Sequence, residues 1–167
     1  MHINLRNIFI LQLIAVFFAI MNLSNIKIEY VANFLPFFDI MIIFYFTILR
    51  PQFFAIWFLF LLGIIADSVT GIPLGITSLS YIITVKLFLF FDKKLIIKEN
   101  FSKILIKFGI FTLAILLLKW LFLSLYYSKF YSFLNPLIQS FITITLYVFM
   151  HKFFHFLNKK LLGSDFD

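Results

Sequence analysis

Four ionisable side chains stand inside or at the edge of long apolar runs: Asp39, Asp67, Lys86 and Lys119. A charge in hydrocarbon is expensive, so each is a candidate for function or demands a compensating partner. Two carboxylates and an ammonium are the parts of a buried ion-pair site. Two carboxylates alone would suit a membrane aspartyl peptidase, but neither Asp39 nor Asp67 has that neighbourhood. A second polar row, Gln139, Thr143, Tyr147, His151 and His155, recurs at steps of four and follows a helix ridge. Two His four residues apart can share a metal ion, yet a third ligand is missing. The chain has no Cys, which removes disulfides, thiolate catalysis and Cys-based metal sites. No GxSxG, HExxH or P-loop pattern occurs. The expectation is a protein without catalysis, cofactor or metal.

The elements that position these groups are hydrophobic segments. Of the 167 residues, 63% are hydrophobic and only 13% charged, against about 25% charged in an ordinary soluble domain. That balance excludes a water-soluble globule and a disordered chain. The 27 Phe residues accompany abundant Ile and Lys and read as a coding bias, not as a binding feature. Six spans of roughly 20 residues would use about 120 residues and leave no room for a soluble domain. The segments fall at 8–23, 34–49, 53–66, 74–91, 104–126 and 136–157. The expected fold is a single all-α domain, a polytopic membrane bundle of about six helices. The first segment is read as an uncleaved span, because no small-residue cleavage site follows it. Arg50, Pro51 and Gln52 leave room only for a tight hairpin between spans two and three. Asp67 to Gly75 holds two Gly and a Pro, which ends a helix and starts a turn, plain or re-entrant.

The net charge of +7 is read as topology and not as nucleic-acid binding. With the N-terminus inside, ten of the 14 Lys and Arg fall on the cytoplasmic side and two, Lys27 and Lys129, outside. Lys86 and Lys119 lie within spans. Both termini are therefore expected in the cytoplasm. Asp39 then starts span two and Asp67 closes span three at the outer face. Lys119 lies about 10 Å below that face, at 1.5 Å per residue. Lys86 is read as snorkelling towards the inner face. Asp67 sits at the negative end of a helix, where it needs compensation from the Ser68–Gly71 amides or hydroxyls or from Lys119. Gly63 would let a neighbouring helix approach closely. Thr77, Ser78, Tyr81 and Thr84 of span four are read as helix–helix contacts.

The stretch from Leu35 to Tyr81 carries a resemblance. It runs Leu35-Pro36-Phe37-Phe38-Asp39, then Arg50-Pro51, then Gly63, Asp67, Gly71 and Gly75 at steps of four, with Tyr81 beyond. This order resembles the MreD family of rod shape-determining proteins, which has a Pro near the start of span two, an Arg-Pro-like hairpin and a G-x-x-x-D-x-x-x-G-x-x-x-G pattern. The resemblance implies a multi-pass inner-membrane protein of the bacterial cell-elongation machinery. Implied partners are MreC, MreB, RodA and a class B penicillin-binding transpeptidase, in organising lateral peptidoglycan synthesis and cell shape. Pro36, Asp39, Arg50, Pro51, Gly63, Asp67, Gly71, Gly75 and Lys119 are the expected structural or partner-related residues. The family is in turn similar to the six-helix substrate-binding membrane subunits of energy-coupling-factor transporters. That similarity supplies the alternative: a subunit that binds a small molecule in an outward pocket.

Overall fold

The computed structural model describes residues 5–21, 36–49, 55–91 and 100–162. These form six α-helices and no strand: α1 (Leu5–Met21), α2 (Phe38–Leu49), α3 (Ile56–Thr70), α4 (Ile76–Phe91), α5 (Phe101–Tyr127) and α6 (Leu134–Leu162). The Arg50–Pro51 hairpin lies outside the described residues.

The hydroxyl stripe of α4, Thr77, Ser80, Tyr81 and Thr84, faces inward and is buried, so packing and not exposure of a polar face to water sorts the helices. α2 is the central element. Its residues from Asp39 to Thr47 are all buried, and it touches α1, α4, α5 and α6. One hydrophobic core runs through all six helices, from Leu11 and Ala15 of α1 to Tyr147 and Phe154 of α6. Phe44 of α2 is its hub, with the rings of Phe88, Phe108, Phe111 and Tyr147 at centroid distances of 5.1–5.7 Å.

Lengths divide the helices into two groups. α5 and α6 have 27 and 29 residues, about 40 Å and longer at helical rise, and each holds a stretch long and apolar enough to cross a membrane. α1 to α4 are apolar but have only 12 to 17 residues. α5 continues about 12 Å past Lys119 before the connection to α6. That connection is pinned by the Trp120 indole N–H, which donates to the Tyr131 carbonyl at 2.8 Å, and by Ser128 in the left-handed region at φ 51°.

α3 departs from the sequence expectation. It does not stop at Ala66 but continues through Thr70, so Asp67 lies in its last turn and not after it. Ser68 and Thr70 fit the extra turn because their hydroxyls donate to the Ile64 and Ala66 carbonyls, both at 2.8 Å. The helix ends where a residue can turn left-handed, at Gly71 with φ 69°. The connection to α4 is the short turn Gly71–Gly75.

Candidate functional site

The polar groups singled out in the sequence converge at the end of the bundle where α3 finishes and α2 and α4 begin. Asp67 is fully buried there. Its main-chain carbonyl accepts from the Gly71 N–H and, at 3.2 Å, from the Ile72 N–H, closing the end of α3. Its carboxylate points the other way, across the turn. Oδ2 accepts the Gly75 N–H at 2.8 Å, and the Thr77 N–H lies 3.2 Å from both oxygens. Asp67 thus caps the following helix.

This corrects the expected compensation. The donors are not the Ser68–Gly71 amides or hydroxyls but the amides that open α4. The physical reason is the extra turn of α3, which carries the side chain past the local loop. The first amides of a helix have no partner inside it, and they carry the positive end of its dipole. The carboxylate that looked misplaced at the C-terminus of α3 is well placed at the N-terminus of α4.

Gly75 holds φ 101°, a backbone state that favours glycine, and offers its amide to Asp67. A Cβ on Gly71 or Gly75 would meet nothing within 4 Å, so each is required for conformation and not for space. Gly63 is the opposite case. A Cβ there would lie 2.4 Å from Ser78 Cα and 2.5 Å from Ser78 N. α3 and α4 therefore cross backbone to backbone at Gly63. Ser78 seals the crossing, its hydroxyl donating to the Phe60 carbonyl at 2.8 Å.

Asp39, 4% exposed, lies in the first turn of α2, and its Oδ1 accepts the Ile40 N–H at 2.9 Å. Its Oδ2 takes a short hydrogen bond from the hydroxyl of Tyr81, which is fully enclosed on α4. Just before α2, the Phe37 N–H donates to Thr143 Oγ1 of α6 at 3.1 Å, and Thr143 in turn donates to the Gln139 carbonyl. Pro36 begins this segment, its carbonyl accepting the Phe38 N–H at 3.2 Å. Lys119 of α5, partly buried, lies within electrostatic reach of both Asp39 and Asp67. The Thr77 hydroxyl is buried beside the Asp67 cap without a hydrogen-bond partner.

The structure thus brings together Pro36, Asp39, Gly63, Asp67, Gly71, Gly75 and Lys119. It places Lys86 apart, exposed on α4, while Arg50 and Pro51 lie outside the described residues. Tyr81 and Thr143 belong to the cluster; the sequence placed Tyr81 among the helix contacts of span four and at the end of the motif stretch, and Thr143 in the polar row of span six, without joining either to Asp39 or Asp67. The signal that could have found Tyr81 is the need of an acid at the start of α2 for a donor at the same depth. On α6 the row at steps of four drifts round the helix, from buried Thr143 and Tyr147 to exposed His155. Tyr147 and His151 are joined by a hydrogen bond of 3.2 Å between the hydroxyl and Nδ1.

Chemically, the arrangement is a clamp. Both carboxylates receive hydrogen bonds from the protein, and together they tie the ends of α2, α3 and α4 to one another. No family model, curated protein or solved structure matches the chain.

Proposed function

We propose that this chain is a non-catalytic, multi-pass protein of the bacterial inner membrane, similar to MreD, that helps to organise lateral peptidoglycan synthesis and maintain rod shape. The observation that carries the reading is the joint use of Gly63, Asp67, Gly71 and Gly75. These are the four positions of the pattern on which the resemblance rests. One is a backbone crossing, one a helix cap, and two are turn residues with positive φ. A motif whose members act as one device is better support than a chance match of spacing.

All six helices span the bilayer in this reading, with both termini and the 92–107 segment in the cytoplasm. The basic asymmetry of the sequence supports that orientation. The shortness of α2, about 18 Å, is compatible with it because α2 is enclosed by other helices and needs no lipid contact of its own. The expected partners are MreC, MreB, RodA and a class B penicillin-binding transpeptidase. Purification from native membranes, with identification of the bound proteins, tests this. Rod-complex proteins should co-purify, and their absence from an intact, folded preparation would refute the reading.

The second reading, a small-molecule-binding subunit of an energy-coupling-factor-type transporter, draws on the same cluster. Lys119 and the unpartnered Thr77 hydroxyl beside two carboxylates could serve a ligand. A small molecule retained stoichiometrically through purification would favour it.

A further inference from the structure

The connection between α5 and α6 presents the most exposed ring among the described residues. Phe130 is 92% exposed, and Leu125, Tyr126, Tyr127 and Tyr131 around it are exposed too. Lys129, also exposed, is the one charged residue of this tip, and residues 101–162 contain no acid. The hydroxyls of the three tyrosines and the Lys129 ammonium have no partner among the described residues. The tip is nonetheless a built turn. Trp120 packs its ring against Phe133 at 5.6 Å and Phe130 at 6.4 Å, while its N–H holds the Tyr131 carbonyl. The Ser128 and Lys129 amides donate back to the Leu125 and Ser124 carbonyls at 3.3 and 3.2 Å.

Three features decide what such a tip meets. Leu125, Tyr126 and Tyr127 are consecutive, each turned by about 100° from the last, so exposed rings and aliphatic surface go more than halfway round α5. A single protein partner covers one face, whereas lipid surrounds. Exposed Leu113, Leu117 and Leu121 lead up to Leu125 at steps of four, so the apolar stripe of the span runs onto the tip unbroken. Depth agrees with this. Counted from Lys103, exposed at the start of α5, about 30 Å of hydrocarbon takes roughly 20 residues and ends near residue 123. The tyrosines then stand where an apolar ring body meets hydrocarbon and a hydroxyl meets headgroups. We propose that the α5–α6 tip is an interfacial anchor seated in the headgroup layer of a phospholipid leaflet, the outer one in the topology above. Phe130 enters the upper acyl region, and Lys129 and the tyrosine hydroxyls lie at the phosphates. The proposal rests on the membrane reading, and not on the rod-complex assignment.

The chain has no Cys, so a nitroxide can be placed at one position at a time. The full chain with Phe130→Cys, Tyr126→Cys or Leu113→Cys is labelled and reconstituted into vesicles of phosphatidylethanolamine and phosphatidylglycerol. Electron paramagnetic resonance compares collisions with oxygen, which concentrates in hydrocarbon, and with a water-soluble nickel chelate. Phospholipids labelled at the headgroup and at mid-chain set the scale, and thermal unfolding confirms that each variant is folded. The oxygen-to-nickel ratio at 126 and 130 should fall between the two lipid standards, and at 113 it should reach the mid-chain standard. Ratios at 126 and 130 below the headgroup standard, with 113 still in hydrocarbon, would put the tip in water and overturn this proposal alone. A label at 113 open to nickel would overturn it together with the membrane reading. Loss of both kinds of collision at 126 and 130 would mean that protein covers the tip, which also overturns the proposal. Phe130→Asp should shift the 126 label towards the headgroup standard, and an unchanged ratio would contradict the anchoring role of Phe130. In intact membranes, a photo-crosslinker at Phe130 should label lipid. Protein adducts without lipid adducts would give the tip to a partner instead.

Discussion

Asp67 is the residue at which two helix ends meet. Its carbonyl closes α3 and its carboxylate opens α4. Asp67→Ala would leave the Gly75 and Thr77 amides without an acceptor, a loss of about 1–3 kcal/mol for the buried Thr77 amide and less for the half-buried Gly75 amide. Asp67→Asn keeps one acceptor oxygen and loses the charge, so it should fall roughly midway between Ala and wild type. Unfolding of the two variants in detergent checks this order. Equal stability of Asp67→Ala and wild type would remove the cap from the account. Tyr81→Phe takes the hydroxyl from Asp39 at a buried site and should destabilise by about 1–3 kcal/mol for the same reason. Lys119→Met combined with Asp67→Asn tests the remaining electrostatic link. Mutual influence predicts a double-mutant coupling above about 0.5 kcal/mol, and additivity would show that Lys119 acts alone. The acids and Lys119 were legible in the sequence because a charge in an apolar run is conspicuous. Their partners were not. Tyr81 stands among other hydroxyl residues of α4, Thr77, Ser78, Ser80 and Thr84, and hydropathy gives no sign of which of them meets an acid.

At the scale of elements, the α3–α4 hairpin separates two uses of glycine. Gly63 is required for space, so Gly63→Ala should force the α3–α4 crossing apart and destabilise by about 1–3 kcal/mol, the range for overpacking, with Gly63→Leu worse. Gly71 and Gly75 are required for their backbone angles. Ala at either should cost about 1–2 kcal/mol, and Gly71→Asn less than Gly71→Ala, because Asn tolerates the left-handed state. Thermal unfolding of the five variants would separate the two classes. If Gly63→Ala were as stable as wild type, the backbone contact with Ser78 would be wrong. The glycines and the turn could be read from spacing. The helix boundary could not, because Ser68 and Thr70 look like turn residues but place their hydroxyls on carbonyls within α3. That one turn decides which amides Asp67 reaches. Nor could the centrality of α2 be read, since its Phe and Ile residues resemble those of every other segment.

For the whole molecule, six helices share one core, and α5 and α6 meet the length and hydropathy needed for a span. The topology proposal predicts that reporters active only outside the cytoplasm stay silent when fused after Lys98 or Asp167 and become active after Lys129. Activity at the C-terminus would break the even number of spans. The all-helical architecture was legible from composition, because little but helices satisfies backbone hydrogen bonds in so apolar a chain. Partnership was not, since exposed Phe and Leu face outward on most helices and mark no single face. The central claim is that this bundle serves the elongation machinery through an intact clamp. The most direct measurement is cell shape and lateral-wall labelling in cells depleted of the chain and supplied with wild type, Asp67→Ala or Gly63→Leu at matched membrane levels. The account predicts rounding on depletion, restored rods with wild type, and failed rescue by both variants. Depleted cells that stay rod-shaped, with normal lateral insertion of new wall, would contradict it.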